Sequence, residues 1–239
     1  GTALHLNGGA GAGFVTQTRQ LATCLGGGGL LDLEGDGDPD LLAFQFADGE
    51  RVLGWSNGGG ALSGYGPLDC GQVPDVDALR TGDADGDGDG DAVLVRAYAG
   101  SWRYLEVWRN DGAGRFAKSV WPQACSNAGP ARLTLADVTG DGRPDAILSL
   151  LETNLVVVAR NDGAGGYPLS GQTVHVVGQG PYDAAAGDID GDGDLDLAVP
   201  NYAGGTLSVL ANAGGGSFPA AQTYALESQP RRAAMGDVD

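Results

Sequence analysis

The stretch Asp188-Ile-Asp-Gly-Asp-Gly-Asp-Leu-Asp196 decides the fold, because it recurs. Asp83-Ala-Asp-Gly-Asp-Gly-Asp-Gly-Asp91 repeats it almost residue for residue. Asp32-Leu-Glu-Gly-Asp-Gly-Asp-Pro-Asp40 and Asp137-Val-Thr-Gly-Asp-Gly-Arg-Pro-Asp145 keep its frame, and a fifth copy opens at Asp237-Val-Asp239. Successive first aspartates lie 51, 54, 51 and 49 residues apart. A fixed period of that length marks an array of like structural units.

A second motif keeps the same beat: an asparagine, a glycine-rich turn and an aromatic. It pairs Asn7 with Phe14, Asn57 with Tyr65, Asn110 with Phe116, Asn161 with Tyr167 and Asn212 with Phe218. Short apolar runs fill the gaps. Residues 41–44, 92–95, 146–148 and 197–199 follow the Asp loops, and 105–108, 155–159 and 207–210 precede the asparagines. Such runs, rich in Val and Leu, are strand-like and too short for helices. One strand enters each loop, one leaves it, one leads into the Asn turn and one leaves that turn. Four antiparallel strands per repeat predict an all-β chain, a β-propeller of four-stranded blades with one Asp-rich loop per blade. A parallel β-helix would use shorter repeats, and a sandwich would not repeat its motifs in register. Residues 1–239 read as one propeller region, with part-blades at both ends. Those ends predict a piece of a larger propeller or array, with a self-closing five-bladed ring as the alternative.

The loops carry the chemistry. Calcium takes six to eight oxygen ligands in flexible geometry. Side chains at loop positions 1, 3, 5 and 9 can converge on one ion if the chain turns tightly, and a glycine at position 6 (Gly37, Gly88, Gly142, Gly193) allows that turn. Position 7 can offer its backbone carbonyl, which leaves its side chain free to vary. The candidate metal residues are therefore Asp32, Glu34, Asp36, Asp38 and Asp40; Asp83, Asp85, Asp87, Asp89 and Asp91; Asp137, Thr139, Asp141, Arg143 and Asp145; Asp188, Asp190, Asp192, Asp194 and Asp196; and Asp237 and Asp239. At least three of the four complete loops are expected to hold metal. Thr139 weakens the third loop, and Glu34 reaches an ion in the first directly or through water. Magnesium demands stricter octahedral geometry, and zinc prefers Cys or His, which the loops lack. Clustered carboxylates that bind metal are expected to titrate below their unfolded-state values.

Position 2 is apolar in each loop (Leu33, Ala84, Val138, Ile189) and is expected to face the blade core. The five aromatics after the Asn turns are expected to be buried at equivalent places, each anchoring an outer strand.

The net charge of −18 is concentrated: 20 of the 31 acidic residues fall in the five loops, so the remainder of the chain is close to neutral. Acidity confined to patterned loops points to bound cations rather than a disordered acidic tail. It argues against nucleic acid, which needs a basic footprint. No run of 18 apolar residues occurs, so no membrane-inserting helix is expected. The sequence opens at Gly1 without a signal-peptide pattern, as a mature chain or a fragment would. The three cysteines, Cys24, Cys70 and Cys125, leave at least one without a partner inside the chain, and no CxxC spacing is present.

The alternation of Asp-x-Asp-x-Asp-Gly-x-x-Asp with Asn-x-Gly-x-Gly-x-Phe resembles the FG-GAP repeat and its bacterial VCBS relatives, which build the propeller of integrin α subunits. The resemblance spans essentially the whole chain. It implies a propeller with calcium in its Asp loops, and it fixes fold and metal better than function. Similar repeats occur in lectins, toxin subunits, polysaccharide lyases and large surface proteins.

No nucleophile–base pair or phosphate-binding loop stands out. The two histidines, His5 and His175, read as packing or surface residues. Tyr98, Trp102, Tyr104, Trp121, Tyr182 and Tyr202 fall in loops and linkers, where aromatic faces suit sugar rings or protein partners, though packing between blades is the commoner use. The expected function is a non-catalytic, extracellular or cell-surface calcium-binding propeller, an adhesion or structural scaffold module of a larger surface, sheath or filament protein. The alternatives are a lectin-like glycan-binding propeller or a non-catalytic domain of a polysaccharide-degrading enzyme. Expected partners are other protein chains, extracellular glycans, or further copies or domains of the same protein.

Overall fold

A computed structural model of the chain describes residues 4–7, 14–17, 25–45, 51–58, 61–67, 76–98, 102–126 and 129–236. Side chains are described for 28–42, 76–97, 103–122 and 129–236. Asp237 and Asp239, Cys24 and Cys70, and the side chains of His5, Phe14, Tyr65, Tyr98, Trp102 and Cys125 lie outside the described residues.

Among the described residues, every regular element except one short 3-10 turn (Leu169–Gly171) is a β-strand. β1 (Leu4–Asn7) and β2 (Phe14–Gln17) form a two-stranded pair. β3 (Leu25–Leu31), β4 (Asp40–Gln45), β5 (Arg51–Gly58) and β6 (Ala61–Pro67) form a first four-stranded antiparallel sheet. β7 (Val76–Gly82), β8 (Asp91–Tyr98), β9 (Trp102–Asn110) and β10 (Phe116–Ser126) form the second. β11 (Ala131–Ala136), β12 (Asp145–Leu150), β13 (Leu155–Ala159) and β14 (Gln172–Val176) form the third. β15 (Ala185–Gly187), β16 (Asp196–Asn201), β17 (Thr206–Leu210) and β18 (Gln222–Ala225) form the fourth. Each sheet runs in sequence order, a meander, as expected for a blade, and each Asp loop joins its first strand to its second.

The core lies between sheets. Side chains alternate faces along a strand, so β8 serves two interfaces at once. Ala92 and Leu94 join Leu31, Leu33 and Leu42 of the first sheet. Val93 and Val95 join Leu133, Leu148, Val157 and Tyr167 of the third. The third and fourth sheets meet through Ile147, Val156 and Val158 against Leu197, Val199 and Leu210. A strand covered on both faces reads as a continuous apolar run, which is why residues 92–95 and 146–148 show no alternation. Each fully buried Leu or Val here contributes roughly 1.5–3 kcal/mol of transfer free energy.

The first strands of neighbouring sheets approach closely. The Thr81 hydroxyl donates to the Leu30 carbonyl (3.1 Å) across this gap. A Cβ on Gly29 would stand 2.2 Å from the Thr81 hydroxyl oxygen, so only glycine fits there.

Three expectations are corrected, the first being that Tyr98, Trp102, Tyr104 and Trp121 lie in strands β8, β9 and β10 rather than in loops and linkers. Leu33, Ala84 and Val138 are buried, but Ile189 is 49% exposed. Position 2 faces the sheet that follows its own in the chain: Leu33 packs with the second sheet, Ala84 with the third and Val138 with the fourth. Among the described residues no sheet lies on that face of the fourth. Tyr167 and Phe218 are buried, and Phe116 is half-buried. Phe116 begins its outer strand, but Tyr167 and Phe218 sit in the connections ahead of β14 and β18, so they plug the interface rather than anchor the strand.

Candidate metal centre

The four Asp loops share one hydrogen-bond pattern that explains their local fold. The position 1 carboxylate accepts the amides of positions 4 and 6. In the second loop, Asp83 takes Gly86 (2.7 Å) and Gly88 (3.0 Å); in the third, Asp137 takes Gly140 (2.8 Å) and Gly142 (2.7 Å). Asp32 and Asp188 repeat the arrangement. Gly88 adopts φ +93°, left-handed backbone that side-chain-bearing residues rarely tolerate, and its counterparts in the other loops match it. Position 5 accepts the position 7 amide, as Asp87 does from Asp89 (2.9 Å).

Position 9 is the keystone. Asp40, Asp91, Asp145 and Asp196 are fully buried or 1% exposed. One oxygen of Asp91 accepts the Ala84 amide (2.7 Å), and the other accepts the Asn110 amide (2.8 Å) from the end of β9. Asp145 does the same with Val138 (3.1 Å) and Asn161 (2.9 Å), and Asp196 with Ile189 (2.8 Å) and Asn212 (2.7 Å). The buried carboxylate thus ties the Asp loop to the Asn turn of its own sheet. A buried ionised group is tolerable only with such partners.

In the second loop, ligand oxygens of Asp83, Asp85 and Asp91 lie within 4.8 Å of one another; in the fourth, those of Asp188, Asp190 and Asp196 do. These are positions 1, 3 and 9. Asp87, Asp89, Asp192 and Asp194 stand outside the two triads. No three of the first loop's Asp32, Glu34, Asp36, Asp38 and Asp40 close to that distance, nor do the third loop's Asp137, Asp141 and Asp145, where the Thr139 hydroxyl at position 3 donates to Asp137 (3.4 Å). Arg143, at position 7, sends its side chain away from its own loop's acids: it lies 3.5 Å from where a Cβ on Gly86 of the second loop would stand and 3.3 Å from the same point on Gly163.

Burial and neighbouring acids disfavour the charged form of several of these carboxyls. Burial pushes the Asp91 carboxyl up to about 6 and raises Asp145. Asp85 and Asp190 are raised by burial and then by Asp87 and Asp192 respectively. The protein groups alone therefore shift opposite to the direction expected with metal in place. All-oxygen donors of this kind suit calcium rather than zinc. Three carboxylates, a position 7 carbonyl and water would supply its coordination sphere and turn mutual repulsion into a cross-link.

The sequence missed what the motif asparagine does. Its side-chain amide crosses to the preceding sheet and donates to the position 2 carbonyl: Asn110 to Leu33 (3.2 Å), Asn161 to Ala84 (2.7 Å) and Asn212 to Val138 (2.8 Å). Arg109 and Arg160, one residue earlier, reach the next Asn turn at the Ala164 (3.4 Å) and Gly216 (3.1 Å) carbonyls. The even spacing of the Asn motif was the available signal, but its partners lie 74–77 residues away. His175 packs edge-on to Phe218 (5.6 Å) beside the Thr173 hydroxyl (2.8 Å), and burial lowers its pKa.

Successive four-stranded meanders, joined face to face and stapled at one rim, make this a β-propeller fold. Solved structures agree. An Agrocybe aegerita lectin, described as recognising non-reducing terminal N-acetylglucosamine, superposes with a TM-score of 0.56 at 22% identity over 81% of this chain and 50% of its own. BBS1N, solved in complex with ARL6DN, superposes with a TM-score of 0.56 at 15% identity over 86% of this chain and 59% of its own. The chain thus spans about half to three-fifths of those proteins. Residues 89–148 match the family model of the FG-GAP-like repeat, so the chain carries an FG-GAP-like repeat within a propeller fold. No curated protein sequence matches it.

Proposed function

We propose that this chain is a non-catalytic, calcium-binding propeller module that serves adhesion or scaffolding within a larger extracellular or cell-surface protein. The observation that carries the reading is the pair of carboxylate triads, each built around one buried position 9 aspartate. Calcium at these loops rigidifies the rim where the Asn amides join neighbouring blades, so the metal acts on the blade interfaces and not on a reaction. Millimolar calcium outside cells suits sites of this kind. Partners are proteins or glycans, in keeping with the protein-bound BBS1N and the glycan-recognising lectin of like fold.

Calorimetric titration with calcium tests the reading. Two sites of comparable affinity are expected from the second and fourth loops, with magnesium weaker, and Asp85→Asn with Asp190→Asn should remove both. A chain that takes up no calcium, or whose melting is the same in EDTA and in millimolar calcium, overturns it.

The glycan-binding alternative is favoured by one feature, the paired Tyr182 and Tyr202 rings, 6.0 Å apart.

A further inference from the structure

At the end of the inner strands opposite the Asp loops, the structure gathers charge of the other sign. Arg132 lies five residues before Asp137, and Tyr182 lies six before Asp188. Arg132 lies at the start of β11, whose far end is an Asp loop roughly 16 Å away, and Tyr182 lies three residues ahead of β15, which runs into the next Asp loop.

Here two tyrosines and two arginines interleave. The Arg132 guanidinium lies over the Tyr182 ring at 5.1 Å and donates to its hydroxyl at 3.4 Å. The Arg231 guanidinium lies 4.9 Å from the Tyr202 ring centre and 5.8 Å from that of Tyr182, and it donates to the Tyr202 hydroxyl at 3.5 Å. The two rings stand tilted at 52°. Arg80 and Arg232 complete the group: Arg80 is lowered first by burial, with Arg232 and Arg132 adding to the shift and Asp183 opposing it, and the Tyr182 hydroxyl is lowered chiefly by Arg132. Among the described residues, none of these four arginines forms an ion pair. Arg132 and Arg231, stacked on the two rings, form a local positive field in a chain of net charge −18, while Arg80 donates to the Leu79 carbonyl (2.9 Å) and faces Asp183.

Stacking on the rings holds the guanidinium planes and leaves N–H edges for a ligand. Such edges match oxyanions bidentately. The Tyr182 and Tyr202 hydroxyls each accept from an arginine, so each retains its own O–H to donate. Guanidinium edges beside phenol hydroxyls fit a ring that carries an oxyanion next to hydroxyl groups. An acidic peptide offers carboxylates without the adjoining ring hydroxyls.

We propose that the Arg132–Tyr182–Arg231–Tyr202 stack is a binding site for acidic saccharides, the sugar's carboxylate or sulfate seated on the guanidinium edges and its hydroxyls on the tyrosines. This rests on the reading of the chain as a module with glycan partners and does not use the Asp loops, so loss of calcium uptake and loss of saccharide binding are separate results.

The test is calorimetry on the 239-residue chain with four probes: a galacturonate tetrasaccharide, a heparin tetrasaccharide, a neutral maltotetraose and tetraglutamate, each in EDTA and in millimolar calcium. One or both acidic saccharides should bind in either buffer; which of them binds tells carboxylate from sulfate. Maltotetraose and tetraglutamate should bind at least about tenfold more weakly. Arg132→Ala and Arg231→Ala should each weaken the acidic saccharide at least about tenfold. Arg231 is exposed, so its variant tests the site without a folding cost, and Arg132→Lys, which keeps the charge but loses the fork, should fall between wild type and Arg132→Ala. Calcium-dependent melting should be unchanged in Arg231→Ala. The proposal is overturned if neither acidic saccharide binds, if Arg231→Ala binds as wild type does, if tetraglutamate binds equally well, or if binding appears only with calcium, which would place it at the Asp loops.

Discussion

The second and third Asp loops share a backbone and differ in charge. Asp83 and Asp137 accept the same two glycine amides at nearly the same distances, and Asp91 and Asp145 clamp the same position 2 and asparagine amides. Yet the second loop closes three carboxylates into one triad, while the third sets Thr139 at position 3 and Arg143 at position 7. The backbone follows from positions 1 and 9 and the glycines, with no help from positions 3 and 7. The loop's backbone and its carboxylate cluster are therefore separable properties of one nine-residue motif, and the third loop keeps the first without the second. Arg143 also brings a fixed positive charge beside Gly86, where the second loop's acids lie.

The largest effect should come from breaking the clamp that both loops share. Asp91→Ala leaves the Ala84, Asp85 and Asn110 amides without their carboxylate. At about 1–3 kcal/mol for each buried amide left unpaired, the loss is roughly 3 kcal/mol or more before any calcium is counted. Asp145→Ala strips three equivalent bonds and should cost about the same in EDTA. In calcium the two should separate, because only Asp91 belongs to a triad; a site filled a hundredfold above its Kd contributes about 2.7 kcal/mol. Urea unfolding in both buffers measures this, and equal costs in calcium would erase the proposed difference.

The next effect concerns pH. In EDTA, Asp91 has a folded-state pKa of about 6 against 3.8 when unfolded, so the folded state holds its proton more tightly. The stabilisation from that proton is present at low pH and is lost as pH rises from about 4 to about 6. Asp85, Asp145 and Asp190 shift the same way. With calcium bound the carboxylates must be ionised, and the sign reverses: stability falls as pH falls. Urea midpoints near pH 4.5 and 7 should therefore rank oppositely in EDTA and in calcium. The same ranking in both would mean that calcium does not engage these groups.

A third measurement converts one loop into the other. Thr139→Asp with Arg143→Asp gives the third loop the acids of the second on a backbone that already matches. It should tighten calcium binding at that loop by about tenfold or more, roughly 1.4 kcal/mol, with little change in stability in EDTA. Unchanged affinity would show that side chains at positions 3 and 7 do not set it.

How far the sequence could be read follows from the same division. Strands β4, β8, β12 and β16, the glycine conformations and the carboxylate triads all arise within one repeat, and residue type and spacing reveal them. The Asn110, Asn161 and Asn212 cross-links and the Arg132–Tyr182–Arg231–Tyr202 stack arise between repeats. Their partners are set by how sheets sit against one another, which a one-dimensional period does not encode. The stack was also hidden because its arginines are ordinary in the sequence and become unusual only by meeting.

The smallest expected effect isolates this distinction at a single position. Val138 and Ile189 both occupy position 2, both are β-branched, and both donate an amide to a buried position 9 aspartate. Val138 is 1% exposed, inside the apolar cluster of the third and fourth sheets; Ile189 is 49% exposed and belongs to none of the three clusters. Val138→Ala removes two buried methyl groups and should cost about 2 kcal/mol. Ile189→Ala removes a larger group, but one already half in water, and should stay within about 0.5 kcal/mol. If local packing within the loop set the value of position 2, the isoleucine would be the costlier loss. If the neighbouring sheet sets it, the valine is. Urea unfolding of the two variants in calcium decides between them, and equal losses would show that Ile189 is covered in solution by something that does the work of a further blade.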